Sequence, residues 1–478
     1  MSVKICHNTD TIKQSHTLKD WCRHKKKRLR EDCNQNHTST YITDTSIHKL
    51  NNDCLILIFL YLPIIDRIRI ESVCKQWKEV SQKSWYNIKK LDLQNFTWGF
   101  STDVRLKQID SVILHKVLSR CGTFLREIYL SKTFCEGREN ALSIIGNLCP
   151  NLEIIDVSCL QVSSAGITSL ITNCHNIKKL SLDCICLFDT DLEKLFKANQ
   201  KLQCLKLVDN KISGKCLLGL PSETIEEIII ERCDYLRDND IVEAIARLKN
   251  LKSLIIKECF DIWRKTTEAV GKYCINLTTL EITGKSSIFQ FNGISHITPL
   301  INLKNLKASA NWFICNSTLH KLSLHCQHLT CLDLSDIPGH FIRDYTLAAI
   351  DKFTKLEILI TRDLYQVTSK GLLYLCNLKQ LVCQECNFFD ITISKFLQCS
   401  YQMEILDLSG CHNITNATLA RAVAATSCRT NNITLNLFIG GTAVDLETFT
   451  DISPFLRIID RDLRYKRIFN FRPSSFLN

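Results

Sequence analysis

Between Ile88 and Leu437 the chain returns fourteen times to one arrangement, apolar-x-x-apolar-x-apolar, with most returns 22 to 27 residues apart. The phrases start at Ile88, Leu125, Leu152, Ile177, Leu202, Ile225, Leu251, Leu277, Leu303, Leu329, Leu356, Leu378, Met403 and Asn432. In Leu329-x-x-Leu332-x-Leu334 three apolar side chains share one edge of an extended segment, and the positions between are mostly polar across the set. This predicts a short strand with one buried face. A turn and a helix follow each strand. Ile167, Leu170 and Ile171 fall at helical spacing within Ser164 to Thr172, Asp189-Thr190 precedes Leu192, Leu195 and Phe196, and Asp238-Asn239 precedes Ile241, Ile245 and Leu248. Each places a capping side chain ahead of the apolar stripe. One strand and one short helix cannot bury their own apolar edge, so successive units must stack.

Cysteines recur in step with the phrase. Cys149, Cys174, Cys274 and Cys326 stand three residues before its first apolar position, and Cys159, Cys184, Cys233, Cys259, Cys386 and Cys411 stand just past the strands. The pattern resembles the cysteine-containing leucine-rich repeats. That resemblance implies an α/β fold, a right-handed leucine-rich-repeat horseshoe or solenoid of about 14 units over residues 87–450.

Composition changes this picture little. The chain has 478 residues, 45% of them hydrophobic, enough for a large core. The 26 cysteines would suggest disulfides in a secreted protein, but the start Met1-Ser2-Val3-Lys4 lacks an apolar signal core and the longest apolar run, Cys54 to Ile65, has 12 residues. The expectation is therefore a reduced protein of the cytoplasm, the nucleus or both, with most cysteines acting as small buried groups and no membrane partner. Cys383-x-x-Cys386, with Cys376 and Cys399 nearby, has metal-like spacing, yet the repeat already accounts for Cys383 and Cys386. No metal and no other cofactor is expected. The net charge of +11 is modest for this length and does not call for nucleic acid.

Before the repeats the texture differs. Residues 1–44 are polar, carry a basic cluster from Arg23 to Arg30, and read as a disordered basic tail. From Ile47 to Val80, helices are expected from Asn52-Asp53 to Pro63, from about Asp66, and over Val73 to Val80. Cys54 to Leu62 is apolar on every side, so it needs cover on every side, and three short helices cannot supply all of it. Leu50, Asp53, Ile58-Phe59, Tyr61-Leu62, Asp66, Val73-Cys74 and Trp77 stand at the spacing of the F-box, and the segment resembles that module over about 40 residues. One departure is Asn51, where the family has proline, which removes a fixed φ and implies weaker adaptor binding. Residues 45–86 form the expected three-helix F-box, and residues 451–478 a C-terminal cap or tail.

Together the two resemblances imply an F-box/leucine-rich-repeat substrate receptor, a non-enzymatic part of a Skp–cullin–F-box ubiquitin ligase. Its implied partners are a Skp-family adaptor, through it a cullin–RING ligase, and an unknown protein substrate. The adaptor-binding residues implied are Leu50, Leu55, Ile58, Phe59, Leu62, Pro63, Val73 and Trp77. On the concave sheet, the pairs Ile229 with Ile255 and Ile360 with Val382 are expected as exposed apolar patches, edged by Glu231 and Lys257 and by Arg362 and Glu385. Ile229, Ile255, Lys257, Ile360, Arg362 and Val382 are thus the substrate-binding candidates. Four aromatics, Phe289, Phe291, Trp312 and Phe313, fall on neighbouring loops and are further candidates for recognition. No nucleophile, base or phosphate-loop constellation stands out among 13 histidines and 15 glycines. The alternative function is a repeat scaffold or inhibitor without ubiquitin chemistry, its helical segment serving only as a cap.

Overall fold

The computed structural model describes residues 47, 50–92, 111–130, 140–157, 162–183, 187–259, 264–284, 293–307, 316–335, 337, 339–451 and 453–461. The basic cluster, the four loop aromatics, Cys159 and Cys184 lie outside these residues. The chain divides into two compact units, Met1–Leu55 and Ile56–Asn478.

Three helices come first: α1 (Asn52–Leu60), α2 (Ile64–Ile70) and α3 (Lys75–Ser84). Asn51 accepts the Cys54 N–H on its side-chain oxygen at 2.8 Å, so the residue replacing the family proline caps α1. Pro63 stands immediately before α2, which opens at Ile64, two residues earlier than expected. Cys74, not Val73, begins the third helix, accepting the Trp77 N–H on its sulfur at 3.4 Å.

The repeats of the second unit build one parallel sheet of fifteen strands in sequence order. They are β1 (Lys90–Asp92), β2 (Glu127–Tyr129), β3 (Ile154–Val157), β4 (Lys179–Asp183), β5 (Cys204–Val208), β6 (Glu227–Glu231), β7 (Ser253–Cys259), β8 (Thr279–Gly284), β9 (Asn305–Lys307), β10 (Cys331–Asp333), β11 (Ile358–Arg362), β12 (Gln380–Gln384), β13 (Ile405–Asp407), β14 (Leu435–Phe438) and β15 (Leu456–Ile459). Two sequence expectations change here. Leu437 pairs with Leu406, so the last phrase begins at Thr434 rather than Asn432, two residues later. A fifteenth strand also lies in the segment expected to be only a cap or tail.

Helices join the strands: α4 (Ser111–Cys121), α5 (Ala141–Leu148), α6 (Ser164–Asn173), α7 (Asp189–Ala198), α8 (Asp238–Ile245), α9 (Arg264–Tyr273), α10 (Asn316–His325), α11 (Asp344–Ile350), α12 (Ser369–Leu373), α13 (Asp390–Cys399) and α14 (Asn416–Ser427). The fourth residue of each phrase, from Leu91 through Leu254 to Leu437, joins the buried apolar helices in one continuous core.

Hydrogen bonds between successive units fix the stacking distance. Asp189, expected to cap its own helix, instead reaches forward: its carboxylate accepts the N–H groups of Ser213 at 2.7 Å, Gly214 at 3.1 Å and Cys216 at 2.8 Å. Asp238 does the same for Lys265 and Thr266, Asp344 for Thr368, and Asp390 for Thr415. Burial alone would raise the Asp189 carboxyl pKa, but the donors of Cys216 and Ser213 outweigh it and hold the group below its ordinary range. Asparagines reach the other way, with Asn276 donating to the Lys249 carbonyl and Asn302 to that of Ile275.

The repeat cysteines are hydrogen-bonding parts as well as filler. Asn210 donates its N–H to Cys233 Sγ at 3.4 Å, and Cys233 its own to Cys259 Sγ at 3.4 Å. Those turns require a left-handed residue just before them, filled by Asp209, Arg232 and Glu258 with φ between 52° and 55°. Arg232 turns this to use by donating to both oxygens of Asp209, at 2.9 and 2.8 Å. One pair departs from the expectation of free thiols: Cys376 and Cys399 form a disulfide, their Cα atoms 5.6 Å apart on successive units. Stacking brings them within bridging reach without displacing the backbone.

Candidate adaptor and partner-binding surfaces

The helix that is apolar all round has an inside and an outside. Leu55 and Phe59 are buried, whereas Leu57, Ile58 and Tyr61 are exposed, Tyr61 by 90%. Phe59 meets Trp77 edge-on, ring centroids 5.2 Å apart, and Trp77 is itself half-buried. Among the expected adaptor residues, Ile58 and Val73 are exposed, Leu50, Leu62, Pro63 and Trp77 are half-buried, and Leu55 and Phe59 belong to the interior. Leu57 and Tyr61 are additions. Positions 54, 57, 58 and 61 follow helical spacing, but the segment is apolar all round, so the sequence alone does not mark that side as the outer one.

Arg67 holds this face in place. Its guanidinium donates to the Leu62 carbonyl at 3.1 Å and to that of Leu60, closing the end of α1. It also lies 5.8 Å from the centroid of the fully buried Trp85 ring, and its carbonyl accepts the Ser81 hydroxyl at 3.0 Å. Burial lowers the Arg67 pKa, the expected direction for a cation taken out of water. An arginine between two isoleucine-rich turns gives no hint of this role in the sequence alone.

On the sheet, the third and fifth phrase positions face away from the helices. The fifth positions of β5 to β8, Lys206, Ile229, Ile255 and Glu281, stand side by side in register. Here the structure corrects the sequence: Ile229, Ile255, Ile360 and Val382 are buried, not exposed. Each is flanked on both sides by an in-register neighbour, which isolated strand reasoning leaves out. Of the charges edging these pairs, Lys257 meets Glu281 at 3.2 Å, Glu231 meets Arg232 at 2.7 Å, and Arg362 meets Glu385 at 2.7 Å.

Charge continues across the next strands. Lys307 Nζ lies 3.8 Å from Glu281 and 3.5 Å from Asp333, all three buried. With Lys257 these four residues are balanced two against two, so the face carries an ion ladder between its aliphatic pairs. Further along, Asp407 is fully buried and accepts from Gln384 at 2.8 Å and from the Ser409 N–H at 2.9 Å. At the third position of β6, Glu227 is 4% exposed and burial raises its carboxyl pKa to about 7, with opposing contributions from Cys204 and Lys179. No described group of three or more histidine, cysteine or acidic residues has the arrangement to hold a metal. Cys383 and Cys386 are buried, and Cys386 Sγ accepts the Leu364 N–H at 3.3 Å.

The helical segment, residues 47–89, matches the F-box domain family. The chain thus carries an F-box segment ahead of a leucine-rich-repeat sheet. Human F-box/LRR-repeat protein 12 is 24% identical over 240 residues, 49% of this chain and 63% of its own length. EEED8.10 of Caenorhabditis elegans, provisionally named an RNA-binding protein, is 25% identical over 401 residues, 80% of this chain and 53% of its own length. The chain thus spans between half and two thirds of the length of these curated relatives. A solved internalin from Listeria monocytogenes aligns over 82% of this chain and 89% of its own, at 16% identity and a TM-score of 0.40.

Proposed function

We propose that this F-box/leucine-rich-repeat protein is the substrate-recognition subunit of a Skp–cullin–F-box ubiquitin ligase. The observation that carries the reading is the exposed row Leu57 and Ile58 on α1, continued by Tyr61 just past its end, on a helix whose other side is already buried. A water-facing row of large apolar side chains at the surface of a small helical module is the feature of a docking site. In this role α1 takes a Skp-family adaptor, the repeat sheet holds a protein substrate, and ubiquitin transfer takes place on other subunits. The test is co-expression with a Skp-family adaptor and size-exclusion chromatography. The wild type co-elutes, and Ile58→Asp with Tyr61→Asp does not while its melting temperature holds. Absence of co-elution by the wild type, or equal co-elution by the variant, overturns the proposal.

A further inference from the structure

Two polar atoms on the helix-free face of the sheet are nine-tenths buried and without a hydrogen-bond partner. They are Glu227 Oε1 on β6 and Ser253 Oγ on β7, whose residues are 4% and 8% exposed. Glu227 and Ser253 are register partners, so the two acceptors stand on adjacent strands about 4.8 Å apart. A buried acceptor left unmade costs roughly 1–3 kcal/mol, whereas Asp407 on the same face is answered by Gln384 and Ser409. Two residues along the same strands are Ile229 and Ile255, also register partners and also buried. The result is a pair of unanswered polar groups beside a pair of aliphatic ones on the same two strands.

We infer that Glu227 and Ser253 form a socket for an arginine side chain carried by a bound protein segment. The inference rests on the receptor reading and narrows its substrate class. A guanidinium presents several N–H donors in a rigid plane, so one group can serve a carboxylate and a hydroxyl on neighbouring strands together. Its three-carbon stem suits the Ile229 and Ile255 wall. A lysine ammonium, compact and strongly hydrated, spans two acceptors less well. The facing neighbours of Glu227 are Cys204 and Lys206 on β5, Lys179 on β4 and Ser253 on β7. The two lysines oppose a further cation, so the arginine must be held by direct contact with the carboxylate and hydroxyl, and the carboxyl, pushed up to about 7 by burial, ionises to make that contact.

The test is selection from a random peptide display library on the full chain, followed by affinity measurement on the selected peptides. Arginine is expected at one fixed position. Replacing it by lysine, or using Glu227→Gln, weakens binding about tenfold or more, the loss of a charge-assisted hydrogen bond. Ser253→Ala has a smaller effect in the same direction. Wild-type affinity rises from about pH 6 to about pH 8 as Glu227 ionises, and the Glu227→Gln profile is flat across that range. A selection without a fixed arginine, or a Glu227→Gln protein that binds the arginine peptides as tightly as wild type, overturns the socket. Adaptor co-elution is scored on the same preparations: if it persists while the socket fails, the receptor reading stands. If it is absent while the arginine peptides bind, the receptor reading alone fails.

Discussion

Arg120 on α4 grips Glu71, just past the end of α2, with two arms of its guanidinium, Nε and Nη2 lying 2.8 and 2.6 Å from the two carboxylate oxygens. The Glu71 side chain is only 9% exposed, and the hydrogen bonds to Glu71 raise the arginine pKa further above its already high value. Arg120→Ala leaves that carboxylate without its partner in a nearly dry place. The expected loss is about 2 kcal/mol, read as a lower urea midpoint, with Arg120→Lys intermediate because it keeps the charge and loses the fork.

Acid acts through the forward-reaching aspartates. The Asp189 and Asp390 carboxyls are held below their ordinary range in the folded protein, where N–H and hydroxyl donors outweigh the opposing effect of burial. A depressed carboxyl contributes stability above its unfolded pKa and loses it as pH falls through the folded value. The acid limb of a stability profile should therefore steepen below about pH 4. Asp189→Asn should flatten it and cost about 1–2 kcal/mol at neutral pH. A profile that keeps its slope in the variant would assign the acid sensitivity elsewhere.

Glu227 has the opposite sign. Its folded pKa of about 7 exceeds the unfolded value, so the folded state binds the extra proton and stability declines as pH rises through that window, then levels off. Glu227→Gln should raise the melting temperature at pH 8 by an amount worth on the order of 2 kcal/mol and leave it nearly unchanged at pH 5. Equal effects at both values would count against a neutral buried carboxyl.

Thiol chemistry should sort by depth. Burial pushes Cys121, Cys174, Cys274 and Cys326 up to about 12, so they stay protonated at neutral pH, whereas Cys54 and Cys428 are exposed. Brief alkylation of the native protein should modify Cys54 and Cys428 and spare the buried set, as mass spectrometry can read. Cys376 and Cys399 should react only after reductant. Labelling of Cys274 at the rate of Cys428 would contradict the packing.

The sheet was legible because its apolar edge repeats at fixed intervals, and the cysteines marked its turns. Less legible was anything that depends on a neighbour. Ile229 and Ile255 read as a sticky patch from spacing alone, yet the strands beside them bury both, so Ile229→Asp with Ile255→Asp would cost stability as well as any partner capture. Asp189 read as the cap of its own helix because one dimension shows no adjacent unit. On α1, uniform hydrophobicity concealed which side was outside, and Leu57 and Tyr61 emerged only once Leu55 and Phe59 were found buried. The F-box, by contrast, was carried by residue identity: Val73-Cys74 and Trp77 at fixed distance from an apolar helix, with Cys74 placed as the cap of α3.

The aspartates reach forward and the asparagines back, each to the next unit and no further. A stack tied in this way has a quantised length. Gaining or losing one whole unit leaves every tie with an equivalent partner, whereas a slip of one residue inside a unit detaches the ties on both sides. The reach available to a bound chain therefore changes in whole-unit steps.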